Sequence, residues 1–266
     1  MKILVAVKQV AALDEDFEIR ADGRDVDVDF LIRDLNEWDD FSLEEAVKIK
    51  EAAAEPVEVV AVSVGPEEVD ESLRKCLAKG ADRAVRIWDA AIEGSDSIAI
   101  ARVLAAAAGR EAPNLLFAGV QSSDQSFAST GIAVADLLGW PHAAVVSALS
   151  YSPGAKTAVL RRELEGGLLH EIEIQCPAVL TIQLGINTPR YASLRSIKQA
   201  AAKPIEVLSL ADVGLNTGVV GEAGSLSRVR RMYIPERGRA QLIEGDAAAQ
   251  AARLAEIIRE FKGASA

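Results

Sequence analysis

The stretch Val57-Glu58-Val59-Val60-Ala61-Val62-Ser63-Val64-Gly65-Pro66 decides the fold, because it joins a buried strand to the start of a helix. An apolar, largely β-branched run of this length is typical of a strand that is covered on both faces, as in a parallel sheet. Gly65 ends the run, and Pro66 suits the first position of a helix that continues to about Gly80. The stretch therefore predicts a strand followed by a helix.

The same alternation recurs on both sides of this unit. Strand-like apolar runs occupy residues 3–7, 84–88 and 114–119, and helix-period apolar residues follow at Ile100, Val103, Leu104 and Ala107, and at Phe127, Gly131, Val134 and Leu138. Ser42-Leu43-Glu44-Glu45 has the form of a capping box, which predicts a helix that begins with Ser42 as its N-cap. Alternating strands and helices indicate an open, mostly parallel, doubly wound (Rossmann-like) α/β sheet.

From about residue 141 the pattern changes. Residues 156–163 and 170–174 alternate polar and apolar side chains around Gly166-Gly167, which predicts a hairpin insertion, and residues 177–184 resemble another buried strand. A Gly/Ser-punctuated stretch then leads to an amphipathic helix, whose apolar face is formed by Ala251, Leu254, Ala255, Ile258 and Phe261. We expect an α/β domain over residues 1–205 and a C-terminal arm plus helix over 206–266.

Composition excludes several classes of function. The chain has 266 residues, 50% of them hydrophobic, and its 40 acidic against 29 basic side chains give a net charge of −11, which argues against a general nucleic-acid binder. Cys76 and Cys176 form no CxxC pair, and two histidines leave little for a metal centre. The N-terminus has no signal-peptide pattern, and no apolar run reaches the ~20 residues of a membrane helix, so we expect a cytoplasmic protein without membrane insertion.

Ligands of open α/β sheets bind beyond the carboxyl ends of the strands, which directs attention to three loops. These loops begin at Lys8, Val64 and Gly119, and no P-loop, GxGxxG or GxSxG motif occurs in the chain. The loop from Gly119 to Ser126 is rich in small hydroxyl residues, which is compatible with a phosphate site or with an ordinary helix N-cap. Residues 36–40 are compatible with a solvated acidic loop that holds one packed tryptophan.

The segment Asn187-Thr188-Pro189-Arg190-Tyr191-Ala192-Ser193-Leu194-Arg195-Ser196-Ile197, followed by Lys203-Pro204-Ile205-Glu206, resembles the β subunit of the electron transfer flavoproteins. Further stretches match that family in the same order along nearly the whole chain: residues 4–8, 44–47, 61–66, 80–83, 162–167 and 234–237.

The resemblance implies a heterodimer in which an α subunit holds most of a redox-active FAD and this chain buries AMP as a structural nucleotide. Backbone N–H groups of residues 126–130 would bind the phosphate, and Ala6 and Val64 would contact the adenine. The implied cofactor-binding residues are Ala6, Asn36, Glu37, Trp38, Asp39, Val64, Gly119, Val120, Gln121, Ser122, Ser123, Asp124, Gln125, Ser126, Phe127, Ala128, Ser129 and Thr130. The chain departs from the family at Glu37, where a proline is usual, at Leu13, where a tyrosine approaches the flavin, and at Phe127.

The resemblance also implies an electron carrier rather than an enzyme. It would receive electrons from flavin dehydrogenases, such as acyl-CoA dehydrogenases, and pass them to a quinone oxidoreductase. Leu194 would anchor the dehydrogenase, together with Pro189, Arg190, Tyr191 and Ile197, while Glu163 would aid release of the partner. The C-terminal helix would dock on the α subunit. Two alternatives remain: an electron-bifurcating β subunit that binds a second FAD in place of AMP, and a stand-alone nucleotide-sensing domain of the universal-stress type.

Overall fold

The computed structural model describes residues 1–13, 17–27, 31–235, 240 and 242–263 of the chain. Glu236 and Arg237 of the 234–237 stretch lie outside these residues, as does the side chain of Leu13. Contacts divide the chain into two compact units, Met1–Arg230 and Arg231–Ala266.

The described residues form eleven strands and seven α-helices. The strands are β1 (Lys2–Ala6), β2 (Gln9–Leu13), β3 (Leu31–Leu35), β4 (Glu58–Val64), β5 (Arg83–Ile87), β6 (Leu115–Gly119), β7 (His142–Ser150), β8 (Thr157–Glu163), β9 (Leu169–Gln175), β10 (Ala178–Ile182) and β11 (Glu206–Leu208). The helices are α1 (Glu37–Ala52), α2 (Asp70–Lys79), α3 (Ser97–Glu111), α4 (Thr130–Leu138), α5 (Leu194–Ala202), α6 (Gly221–Gly224) and α7 (Ala247–Gly263).

Nine strands form one sheet in the order β11-β5-β4-β1-β6-β10-β7-β8-β9. The strands from β11 to β7 are parallel, and only β8 and β9 run antiparallel to their neighbours, as the predicted hairpin insertion. The chain builds outward from β1 through β4 to β5 and then returns to the other side of β1 with β6. The open, mostly parallel doubly wound sheet is confirmed, and its switch point lies between β1 and β6.

Helices cover both faces of this sheet because successive strand residues point to opposite sides. Ile3 and Val5 of β1 pack in the same buried cluster as Leu43 of α1 and Leu73 of α2. Leu4, between them, belongs to a second cluster with residues of α3 and α4 such as Val103 and Val134. The continuous apolar strand runs of the sequence therefore correspond to strands that are buried on both faces.

The predicted capping box at Ser42 is wrong. Helix α1 begins at Glu37 with Asn36 as N-cap, so residues 36–40 are its first turn rather than a solvated acidic loop. The Ser42 hydroxyl donates to the carbonyl oxygen of Trp38 at 3.0 Å, as a serine inside a helix does. The carboxylate of Glu45 accepts from Asn187 and Lys48 instead of reaching back to the helix start.

The segment after residue 205 is more ordered than its Gly/Ser content indicates. Strand β11 pairs with β5, and Glu206 accepts hydrogen bonds from Arg83 and Arg110 at 2.7 Å each. The boundary between the two compact units accordingly falls after Arg230, later than the expected boundary at residue 205. The predicted helix over Gly131, Val134 and Leu138 is confirmed as α4, but Phe127 lies before its start. Strand β7, parallel to β10, was not predicted.

The second unit contains α7. The carboxylate of Asp246 accepts from the backbone N–H of Ala249 at 2.9 Å and so caps the first turn. Leu254 and Ile258 on the predicted apolar face are exposed. Within the described part of the chain, no helix combines the length and the apolar character that a membrane span requires.

Candidate functional site

A cavity of about 330 Å³ opens at the switch point of the sheet. The carboxyl ends of β1 and β6 supply Ala6 and Gly119, and the end of β4 supplies Val64. The loop after β6 and the starts of α3 and α4 complete its wall. The position agrees with the general rule for ligands of open α/β sheets.

Asp39 links the segment after β1 to the end of β6 at the wall of this cavity. Its carboxylate accepts the backbone N–H of Lys8 at 2.7 Å and that of Gly119 at 2.9 Å. Burial raises the pKa of Asp39 to about 7, against the lowering effect of these two backbone hydrogen bonds. The side chain thus joins Lys8, two residues past β1, to Gly119 at the end of β6.

Asn36 orders the loop that follows β6. Its amide donates to the carbonyl oxygen of Gln121 at 2.9 Å, and its own oxygen accepts from the N–H of Ser123 at 3.2 Å. Lys8 reaches the same loop, where its ammonium lies 2.7 Å from Asp124 and 3.2 Å from the Ser122 hydroxyl. The start of α1 and the segment just after β1 therefore shape the loop together.

Two helix N-termini point into the cavity. Ser97 begins α3 and Thr130 begins α4, and the hydroxyls of Ser97 and Ser129 are hydrogen-bonded at 3.1 Å. At α4, where no side chain caps the first turn, free backbone N–H groups and the helix dipole favour an anion, whereas the N–H groups of Ile98 and Ala99 in α3 are already bound by Asp96. Ser126 and Ala128 just before α4 both have a φ of 52°, a left-handed conformation that costs free energy and is often found at ligand sites.

The remaining wall is apolar. Ala6, Val64, Ile100, Leu104 and Val134 lie around the interior of the cavity, on strand ends and on the faces of α3 and α4. An apolar wall opposite a set of N–H groups suits a ligand with a flat apolar ring at one end and an anionic group at the other.

Most cofactor-binding residues expected from the sequence meet at this cavity. Those that line it are Ala6, Asn36, Asp39, Val64, Gly119, Val120, Gln121, Ser122, Asp124, Gln125, Phe127, Ala128, Ser129 and Thr130. Glu37, Trp38, Ser123 and Ser126 are not in the lining. Gly119 is required by α1: an added Cβ would lie 2.5 Å from the Cβ of Trp38 and from Oδ1 of Asp39.

Sequence reasoning missed the wall formed by Ser95, Asp96 and Ser97. Asp96 is the N-cap of α3 and accepts from the N–H groups of Ile98 and Ala99. An Asp-Ser pair just before the Ile100 helical pattern was the available signal. Lys8, whose loop was expected at the site, also lines the cavity.

The expected partner-recognition segment lies on the surface. Tyr191 is 99% exposed and Leu194 is 81% exposed, and Ser193 caps α5 by accepting the N–H of Ser196. Ile197 is half-exposed on the same helix. Arg190, in contrast, turns its guanidinium to Glu44 and Glu51 of α1. The segment thus presents apolar side chains while its arginine is engaged within the chain.

Glu163 stands at the end of β8, apart from that segment in sequence. Its carboxylate accepts from Gln183 at 3.3 Å, and the other end of the Gln183 amide accepts the indole N–H of Trp38 at 3.2 Å. The hairpin is therefore connected to the start of α1 by a chain of hydrogen bonds.

Other reactive groups of the described residues contribute no centre. No cluster of histidine, cysteine or carboxylate side chains there has the arrangement of a metal site. Burial raises the pKa of the Cys76 thiol, which is packed in the core. His142 and His170 are exposed on strands.

The fold and the site define the class: an open, doubly wound α/β protein with a cavity at the switch point of its sheet. The model of the electron transfer flavoprotein domain matches residues 32–213. Subunit beta of the electron transfer flavoprotein of Methylophilus methylotrophus is 71% identical over 264 residues, which cover 99% of this chain and 100% of that protein. The mitochondrial subunit beta of Arabidopsis thaliana is 38% identical over 213 residues, 80% of this chain and 83% of that protein. Subunit beta of Homo sapiens is 36% identical over 218 residues, 81% and 84% of the two chains.

The chain belongs to the electron transfer flavoprotein beta-subunit family, a family of electron carriers rather than enzymes.

Proposed function

We propose that this chain is the β subunit of a heterodimeric electron transfer flavoprotein and binds AMP in the switch-point cavity. FAD, held mainly by an α subunit, would supply the redox chemistry, and AMP would serve as a structural nucleotide. The observation that carries the AMP assignment is the cavity itself, which combines an apolar wall at Ala6 and Val64 with the uncapped N-terminus of α4.

The size of the cavity favours a mononucleotide. Its volume of about 330 Å³ lies near the lower end of the range of ~300–1,000 Å³ for small-molecule sites. A dinucleotide such as a second FAD would need room beyond it. The residues around the cavity would act by binding: backbone N–H groups before α4 would hold the phosphate, and the apolar wall would exclude water from the base.

The proposed electron route begins at a flavin dehydrogenase, with acyl-CoA dehydrogenases as the first candidates, and ends at a quinone oxidoreductase. Exposed Leu194 supports this proposal, since a single apolar anchor at the start of α5 suits transient docking. Tyr191, Ile197 and Pro189 would flank the anchor, and Glu163 would aid release. We propose a cytoplasmic heterodimer, as the sequence predicts.

The test is the ligand content of the chain copurified with its α subunit. We expect one FAD and one AMP per heterodimer from the visible spectrum and from mass spectrometry of acid-released ligand. Two FAD would instead indicate a bifurcating protein. A stable monomer without flavin would indicate a nucleotide-sensing domain, and recovery of no adenine compound from freshly purified heterodimer would refute the cavity assignment.

A further inference from the structure

Two carboxylates of α1 form ion pairs with the guanidinium of Arg190. Glu44 accepts from Nε at 2.9 Å and from Nη2 at 3.0 Å, and Glu51 accepts from Nη1 at 2.6 Å and from Nη2 at 2.8 Å. Each carboxylate thus makes a two-point contact, the geometry in which arginine binds carboxylates most strongly. Glu44 also accepts the backbone N–H of Arg190 at 3.1 Å, so it holds the main chain as well as the side chain.

These ion pairs lie just before the exposed side chains of Tyr191, Leu194 and Ile197. Glu44 is buried, whereas Glu51 is exposed. Shortly before Arg190 in the sequence, the amide of Asn187 donates to the carbonyl oxygen of Phe41 at 3.0 Å and to Glu45 at 2.9 Å. Helix α1 therefore fixes the segment at two points just before the exposed side chains begin.

A second attachment lies on the far side of the exposed residues. Arg74 of α2 donates to the carbonyl oxygen of Ala200 at 2.8 Å and also to that of Lys203, at the end of α5. Along the chain, Leu194 lies between the ion pairs of Arg190 and this attachment. The position of an exposed leucine is thus set by contacts that the leucine itself does not make.

We infer that Glu44 and Glu51 are positioning residues that set, through Arg190, the presentation of Leu194 to the electron donor. The inference rests on the proposed function, in which Leu194 anchors a flavin dehydrogenase. A segment that is already held in its docking conformation loses less conformational entropy when it binds, so affinity rises without any new contact. The same contacts leave the Arg190 guanidinium saturated by carboxylates of its own chain.

The experiment uses the full-length chain in its heterodimer, with a flavin dehydrogenase that reduces the wild-type protein. Glu44→Gln removes the charge of the buried carboxylate and keeps the side-chain shape. Glu51→Gln removes the charge of the exposed carboxylate without disturbing a buried site. Glu55→Gln is the matched control, because Glu55 is an exposed carboxylate just past the end of α1. It changes the net charge equally and so reports any general electrostatic effect on docking.

We expect KM for the heterodimer to rise about tenfold with Glu44→Gln and about threefold with Glu51→Gln, with kcat unchanged in both. Reduction by dithionite and flavin content should stay normal in all variants. A purely stabilising role of Glu44 would lower the melting temperature without separating KM from kcat. Equal KM values for Glu44→Gln, Glu51→Gln and Glu55→Gln would overturn the inference.

A double variant separates this inference from the proposed function. If Glu44 acts through Leu194, then Glu44→Gln combined with Leu194→Ala should raise KM no more than about twofold above Leu194→Ala alone. Full additivity would mean that Glu44 affects docking by another route, against the inference. If Leu194→Ala leaves KM unchanged, recognition through Leu194 fails and the positioning role fails with it. If Leu194→Ala raises KM while Glu44→Gln behaves like the control, only the positioning role is refuted.

Discussion

Leu194 is the residue on which donor recognition is proposed to depend. Its side chain is 81% exposed, so Leu194→Ala removes little buried area from the chain itself and should leave its stability unchanged. Full burial of a leucine in a partner is worth about 2 kcal/mol, which corresponds to a loss of roughly thirtyfold in docking affinity. Stopped-flow reduction by the dehydrogenase measures the effect.

Leu168 offers a matched control for that experiment, since it is an exposed leucine outside the recognition segment, in the turn before β9. Leu168→Ala should leave electron uptake as in the wild type. Unchanged uptake in Leu194→Ala would show that the donor docks elsewhere on the heterodimer.

Asp39 predicts a pH dependence of stability. Because its pKa is raised from 3.8 to about 7 in the folded chain, the folded state binds more protons than the unfolded state across that interval. The contribution of Asp39 to stability is therefore greatest at low pH and falls as pH rises towards about 7. Asp39→Asn cannot titrate, and its amide would oppose one of the two backbone N–H groups, so the variant should be less stable than the wild type.

The difference between the two melting temperatures should shrink as the pH is raised from about 5 to about 8, across the pKa of Asp39. Thermal melting of the heterodimer over this range is the measurement, with Glu55→Gln as an exposed control. A difference that widens with pH would contradict the raised pKa.

At the scale of elements, the start of α3 connects the cavity wall to Leu226 and Ser227, near the end of the first compact unit. One oxygen of Asp96 accepts from the N–H groups of Ile98 and Ala99, and the other accepts from those of Leu226 and Ser227. Burial works to raise the pKa of Asp96, but these hydrogen bonds hold it below its ordinary value. The residue caps α3 and also fixes the chain just before the end of the first unit.

Asp96→Ala should lower stability by about 2–3 kcal/mol, because it removes a helix cap and leaves two further N–H groups without their acceptor. Hydrogen exchange should become faster at residues 225–230 as well as at the start of α3. Asp96→Asn retains one acceptor oxygen, so its stability should lie between that of the wild type and that of Asp96→Ala. Faster exchange at the start of α3 alone would show that residues 225–230 are held by other contacts.

At the scale of the whole molecule, the second unit is proposed to pair with the α subunit. Helix α7 exposes Leu254 and Ile258 on one face, and apolar area buried on assembly contributes ~25 cal/mol per Å². Leu254→Asp combined with Ile258→Asp should abolish copurification with a tagged α subunit while the α/β unit stays folded. A chain that ends at Arg230 should behave likewise, since contacts divide the units there. Normal pairing of both variants would contradict this role of the C-terminal helix.

The sequence by itself determined the elements whose signals are local. The apolar runs of β1, β4, β5, β6 and β10 and the helical periods of α3 and α7 each lie within a few residues, and burial on both faces follows from them directly. The loops at strand ends followed in turn, because a doubly wound sheet places its ligands there. The lining residues on these loops, which are Lys8, Val64 and those between Gly119 and Gln125, could therefore be predicted from the fold. Ala6, Asn36, Asp39 and residues 127–130 were implied only by the family resemblance.

Only the tertiary structure decided which polar groups meet. Asn36 begins α1 where its side chain can hold the loop after β6, 85 positions away, although Ser42 has the better local capping pattern. Asp39 lies in an acidic stretch of the sequence, but in the folded chain it is buried and accepts the backbone N–H groups of Lys8 and Gly119. Glu44 and Arg190 are separated by 146 positions. Such pairs leave no periodic trace in a single sequence, because the free energy that joins them arises from packing between elements rather than from neighbours along the chain.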